Sequence, residues 1–182
     1  MRKLKAVGRA SGVLAALATI VGFAGGASPA EAATASARAC WLDIDTGVVQ
    51  CFDDRGALAA AVEQQTGGPL LLADGSTAAT TRGAAVPAAA YALVTFYDGA
   101  SFSGDSTTVT TSISSRCTAY SFTGNSMISG WNDRVSSYQS YGTCKTRVSH
   151  DINQGGTSYG PVASAATLGS MDNQTSSYWI TG

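Results

Sequence analysis

Asn132-Asp133-Arg134-Val135-Ser136-Ser137 and Asp172-Asn173-Gln174-Thr175-Ser176-Ser177 are two versions of one six-residue pattern. Each opens on two Asn or Asp residues, leaves two free positions and closes on Ser-Ser. The copies lie 40 residues apart. Carboxylate, carboxamide and hydroxyl oxygens gathered in one loop are the donors that a hard cation such as Ca2+ takes. Asn, Asp and Ser also favour turns for local hydrogen-bonding reasons. Two copies at one period point to two related loops in a repeated unit.

The surrounding sequence suits that unit. From Tyr91 onward charged residues are sparse, and Ser, Thr, Gly and Tyr dominate. Strand-like runs at 92–97, 106–111, 134–141, 146–150 and 176–180 alternate with Gly- and Asn-containing turns. Many short strands with such turns predict an all-β antiparallel sandwich or barrel. The two loops divide it into halves at about 91–143 and 145–182. The first half also carries Tyr97-Asp98-Gly99-Ala100-Ser101-Phe102-Ser103-Gly104, an aromatic corner closed by a glycine.

This corner, with the doubled Asn/Asp–Ser loop, resembles the microbial βγ-crystallin family over about 91–182. The resemblance implies a Greek-key sandwich of two motifs, each opening on the corner and ending near the loop. It also implies two Ca2+ sites between the motifs. Oxygens would come from Asn132, Asp133 and the Arg134 carbonyl in one loop, and from Asp172, Asn173 and the Gln174 carbonyl in the other. Each site would take the Ser176 or Ser136 hydroxyl from the opposite loop, and a hairpin carbonyl near Asp98 or His150. The second half departs from the pattern: Ser149 and Gln154 stand where the corner has aromatics, although Gly156 remains. The first half carries an apparent insertion around 116–124.

The N-terminus reads as an export signal over 1–32. Arg2, Lys3, Lys5 and Arg9 precede an apolar run from Gly12 to Gly25, and Ala30-Glu31-Ala32 forms a small-x-small cleavage site. The run is too short to span a membrane. Cleavage would remove four of 11 basic and one of 12 acidic residues, leaving seven against eleven and a net charge of −4. A mildly acidic chain without a Lys/Arg cluster is not expected to bind nucleic acid or a membrane surface. A secreted monomer is the expectation.

Cys40, Cys51, Cys117 and Cys144 all lie in the exported part, so two disulfides are expected. Four cysteines allow three pairings; the division of the chain favours Cys40–Cys51 and Cys117–Cys144. Zinc is the rival use of these thiols, but no CxxC pair exists and the chain has one His. Residues 33–75 read as a small stapled αβ unit: two strands joined at Asp45-Thr46-Gly47, a helix capped by Asp53 or Asp54, and a strand at 70–73. The helix would run to about Gln65, present Leu58, Ala61, Val62 and Gln65 on one face and stop at Gly67-Gly68. Residues 76–90 read as a linker.

Catalytic patterns do not assemble. Gly156-Thr157-Ser158-Tyr159-Gly160 matches a nucleophile elbow, but no helix pattern follows and the only His, His150, precedes the Ser. Asp45-Thr46-Gly47 lacks the second carboxylate that an aspartic dyad needs. Asn173-Gln174-Thr175 is a formal glycosylation sequon in a sequence of bacterial character. Trp131, Tyr138, Tyr141, Tyr178 and Trp179 fit core pairing better than a sugar-stacking face. The reading is a secreted, non-enzymatic calcium-binding protein. The alternatives are a secreted inhibitor of metallopeptidases, which the βγ-crystallin resemblance also covers, using the loop 116–125, and a toxin-like module binding cell-wall glycan.

Overall fold

The Ser/Thr-rich half folds into strands because its β-branched and aromatic residues alternate between two faces. The computed structural model describes residues 36–72 and 89–182. The export segment at 1–32 and most of the linker lie outside the described residues. The strands are β1 (Ala39–Asp43), β2 (Val49–Phe52), β3 (Leu70–Leu71), β4 (Ala90–Gly99), β5 (Ser103–Thr111), β6 (Phe122–Gly124), β7 (Ser137–Ser140), β8 (Lys145–Ser149), β9 (Ser158–Val162), β10 (Ser164–Ala165) and β11 (Ser177–Thr181). The helices are α1 (Arg55–Thr66) and the single turn α2 (Arg116–Ala119).

Among the described residues these form two sheets. One runs β10-β7-β4-β5-β1-β2, with β3 also beside β4; the other runs β6-β11-β8-β9. Two Greek keys explain the order. In the first, β4 and β5 form a hairpin and β7 returns to pair with β4. In the second, β8 and β9 form the hairpin and β11 returns to β8. Each key sends its third strand to the other sheet: β6 pairs with β11, and β10 pairs with β7. The apparent insertion at 116–124 therefore contains α2 and this exchanged strand. Its Cys117 is joined to Cys144.

Leu93, Phe96, Val109, Val135, Val148, Tyr178 and Ile180 are fully or nearly fully buried in the main core. Phe96 meets Tyr138 edge-on at 6.1 Å and Tyr178 at 5.2 Å between ring centroids. Trp131 and Tyr141 are buried too, and Trp179 is half-buried beneath the Arg147 guanidinium. The five aromatics thus go to packing, and do not form an exposed stacking platform.

Residues 39–71, read from sequence as part of a small unit of their own, are hydrogen-bonded into the first sheet. Strand β1 pairs in parallel with β5 from Ala39↔Ser106 to Asp43↔Thr110. Strand β3 pairs in parallel with β4. The described residues, 36–72 and 89–182, belong to one compact unit. The Cys40–Cys51 disulfide ties β1 to β2 at directly opposed positions. Helix α1 is capped by the Asp54 carboxylate, which accepts from the Ala57 N–H, and ends at Gly67, whose φ of 75° suits glycine. Its buried residues are Leu58, Ala59 and Val62. Gln65 points out instead and pairs with Gln50, since a polar amide gains more from a partner at the surface than from burial. Leu58 and Val62 pack with Ala39, Trp41, Leu70 and Ala92 in a second core cluster. Trp41 is 2% exposed and its Nε1–H donates to Thr110 Oγ1 at 2.7 Å.

Asp45 fastens the β1–β2 turn to the end of β5. It accepts from the Ser112 N–H (2.6 Å), the Ser112 hydroxyl (2.7 Å) and the Thr111 hydroxyl (2.9 Å). Partial burial pushes its pKa up, but these hydrogen bonds outweigh burial and leave it below the ordinary value.

Two outcomes follow. Trp41→Ala, by emptying a buried site, lowers the free energy of the whole unfolding transition by about 3–5 kcal/mol; denaturation followed by far-UV circular dichroism and by fluorescence should remain a single shared transition. Two separated transitions would show that the N-terminal segment unfolds alone. For Asp45, a depressed folded pKa means stability that is present above the unfolded pKa and lost as pH falls through the folded one. The stability gap between parent and Asp45→Asn therefore narrows below about pH 4, as read from melting temperatures across pH. A gap that stays constant to low pH would contradict the role of the carboxylate.

Candidate metal sites between the two halves

The two hairpins share an unusual backbone. In the first, Ser101 and Phe102 have φ of 56° and 62°, and Gly104 follows at 79°. In the second, Asn153 and Gln154 have 56° and 59°, and Gly156 follows at 69°. A side chain on Gly104 would run into the Asp98 carboxylate, and one on Gly156 into Asp151. Positive φ and close approach together require glycine there.

What holds each hairpin differs. Tyr97 and Phe102 pack edge to face at 5.8 Å in the first. Burial, the chief cause, and the neighbouring Tyr141 push the Tyr97 hydroxyl up to about 12, against the pull of Arg55. In the second, Gln154 replaces the ring and donates through Nε2 to the Gly124 carbonyl at 3.3 Å. The departure from the aromatic corner therefore left the hairpin's backbone intact.

The six-residue loops meet reciprocally. The Asp133 N–H donates to the Thr175 carbonyl at 3.0 Å, and the Asn173 N–H donates to the Val135 carbonyl at 3.0 Å. Asp133 and Asn173, the second residue of each loop, both turn through positive φ, 56° and 53°. Val135 and Thr175, at the fourth position, are completely buried. At the fifth position the Ser136 N–H donates to the Tyr97 carbonyl at 2.8 Å, and the Ser176 N–H donates to the Ser149 carbonyl at 2.9 Å. So Ser136 stands on the first hairpin and Ser176 on the second.

The sixth position has a role that the sequence did not disclose. Ser137 Oγ donates to the Gly99 carbonyl at 2.6 Å and accepts from the Phe102 N–H at 3.0 Å. Ser177 Oγ does the same with the Asp151 carbonyl (2.5 Å) and the Gln154 N–H (2.9 Å). Both serines are 0% exposed. The repeat of Ser at this place in both loops was the available signal.

Of the sequence-predicted ligands, Asn132, Asp133, Asp172, Asn173 and Gln174 are exposed, while Ser136 is buried and Ser176 half-buried. The structure brings Ser136 to the opposite loop: its hydroxyl lies 3.4 Å from Asn173 Oδ1. The Asp133 carboxylate accepts from Asn132 Nδ2 at 2.6 Å. Asp172 accepts from Asn173 Nδ2 at 3.4 Å. The Arg134 side chain turns back to the first hairpin, 2.6 Å from Asp98 and 3.3 Å from Asp105, and its guanidinium lies over Trp131. The hydrogen bond that it donates to the Asp98 carboxylate, before all else, lifts the guanidinium pKa further. His150 is an exposed hairpin residue beside Asp151. Among the described residues no group of three or more His, Cys, Asp or Glu gathers. The donors on offer are hydroxyls, carboxamides, backbone carbonyls and one carboxylate per loop, a set suited to a hard cation.

No family model and no curated protein matches the chain. Solved structures do. A βγ-crystallin from an archaeon is 25% identical, covering 48% of this chain and 94% of its own, with a TM-score of 0.35. The N-terminal domain of protein S is 17% identical, covering 50% and 96%, with a TM-score of 0.38. A clostrillin double mutant in complex with nickel is 17% identical, covering 50% and 98%, with a TM-score of 0.35. On its own topology, with paired hairpins and exchanged third strands, the chain has a βγ-crystallin-like Greek-key sandwich.

Removing either sixth-position hydroxyl leaves a buried carbonyl and a buried N–H without their partner. Ser137→Ala and Ser177→Ala should each cost about 1–3 kcal/mol, measured by urea denaturation. Values near zero would mean that the hairpins hold their form without the serines.

Proposed function

We propose that this chain is a secreted, non-enzymatic calcium-binding protein with two Ca2+ sites, one on each side of the crossing between its loops. The first site takes Asp172, Asn173 and the Gln174 carbonyl from one loop and the Ser136 hydroxyl from the other. The second takes Asn132, Asp133, the Arg134 carbonyl and Ser176. A carbonyl near Asp98 serves the first site and one near His150 the second, since Ser136 and Ser176 are seated on those hairpins. The N-terminal export pattern and the two disulfides support an extracellular setting.

The observation that carries the reading is the approach of Ser136 Oγ to Asn173 Oδ1 at 3.4 Å. That is long for an O–H···O hydrogen bond. Oxygens on adjacent vertices of a calcium shell, about 2.4 Å from the ion and at right angles, are about 3.4 Å apart. Serine and asparagine from opposite loops thus already stand at a spacing that one cation can bridge. Bound calcium would supply a charge linking the two Greek keys through oxygens of both. With one carboxylate in each loop, affinity from about micromolar to millimolar is expected.

A melting temperature measured in millimolar calcium and again in EDTA tests the proposal. Stabilisation of about 2.7 kcal/mol per site is expected at a calcium concentration of about 100 times Kd. Calorimetric titration should give two equivalents for the parent, and one each for Ser136→Arg and Ser176→Arg. An unchanged melting temperature, or variants that still bind two ions, would refute it.

A further inference from the structure

Position three of the loops breaks their symmetry. It is Arg134 in one and Gln174 in the other. Gln174 is exposed, whereas the Arg134 guanidinium is fixed on the first hairpin. It pairs with Asp98 at 2.6 Å and Asp105 at 3.3 Å, and donates to the Gly130 carbonyl at 3.1 Å. The same hairpin seats Ser136 through the Tyr97 carbonyl. The second hairpin has His150 and Thr157 at the places of Asp98 and Asp105, and no arginine reaches it from its own loop.

We propose that Arg134 is a built-in charge regulator of the Ser136 site, setting it to a lower affinity for divalent cations than the flanking carboxylates would otherwise give. The inference rests on the calcium reading above. Without the guanidinium, Asp98 and Asp105 would present two negative charges on the hairpin that serves this site, with no cationic side chain paired to them and only the Arg38 N–H, at 2.8 Å, donating to Asp105. With it, most of that charge is neutralised on the hairpin itself, which lowers its pull on a cation of charge +2. Arg134 and both carboxylates are only partly buried, with side-chain exposures of 41%, 26% and 32%. The effect is therefore moderate and sensitive to salt. Arg134 lends the Ser176 site its carbonyl, but its guanidinium and both paired carboxylates sit on the first hairpin, so the charge effect falls mainly on the Ser136 site. The two sites are thereby tuned to different calcium concentrations by a residue whose side chain is not itself a ligand.

The test is calcium titration by calorimetry in a Ser176→Arg background, which leaves the Ser136 site alone. Arg134→Gln, which copies the other loop, should tighten binding about three- to tenfold at low ionic strength. Asp98→Asn should loosen it by a similar factor. Both changes should shrink as salt rises from about 20 to about 500 mM. Opposite signs are the mark of charge, since damage to the hairpin would loosen both variants. If the two variants shift affinity in the same direction, or if neither responds to salt, the inference fails although the calcium reading stands. If the Ser176→Arg protein binds no calcium while the parent binds two ions, the site assignment and the inference both fail. If the parent binds none, the calcium reading fails and the inference with it.

Discussion

Two backbone hydrogen bonds hold the halves in register: Asp133 N–H to the Thr175 carbonyl, and Asn173 N–H to the Val135 carbonyl. Each loop satisfies the other, so neither has its final form alone. The positive φ at Asp133 and Asn173 turns these N–H groups inward, and Asn and Asp tolerate that conformation better than most residues. The turn also buries Val135 and Thr175 between the sheets and brings Ser136 and Ser176 onto the hairpins. One position further, Ser137 and Ser177 pin the hairpins to the returning strands. A single six-residue pattern thereby specifies the crossing, the core contact and the hairpin anchor.

The exchange of third strands repeats this reciprocity at larger scale. Strand β6 belongs to the first key by sequence and to the second by pairing, and β10 does the reverse. The N-terminal segment adds a different element. By pairing with β5, β1 covers an edge that would otherwise offer free N–H and C=O groups. In the second sheet the matching strand β9 stays at the edge and carries Pro161, which has no N–H to offer. Covering on both sides explains why residues 106–111 of a Ser/Thr-rich strand are all buried. The hydroxyls of Ser106, Thr108, Thr110 and Thr111 meet partners there, as Thr108 does with Thr95 at 2.8 Å and Thr110 with the Trp41 indole N–H at 2.7 Å, whereas Thr107 Oγ1 does not.

What the sequence made legible was local. The doubled loops, the Tyr97–Gly104 corner, the caps of α1 and the favoured disulfide pairing are signals carried within a few residues or by the chain's division, and the structure shows each element. The parallel pairing of β1 with β5 joins residues 67 apart and leaves no short-range mark. Strands β6 and β10, of three and two residues, are too short to show alternation. The second hairpin was obscured because its backbone is kept by glycine, a tolerant Asn153 and the Gln154 amide, without an aromatic pair. In the candidate sites the oxygen-bearing side chains were legible in the six-residue pattern, while their use as ligands was implied by the resemblance alone. The reach of Arg134 to Asp98 was not legible, because a guanidinium can adopt many positions and only the folded hairpin selects one.

On the proposed reading, the crossing of the loops makes two cation sites, each completed by the opposite loop. A structure of the protein grown with calcium measures this directly. Two ions are expected, one within about 2.3–2.6 Å of Ser136 Oγ and Asn173 Oδ1, the other touching Ser176 Oγ and the Asn132–Arg134 segment. Ions held by one loop only, or lying away from both, would contradict that reading.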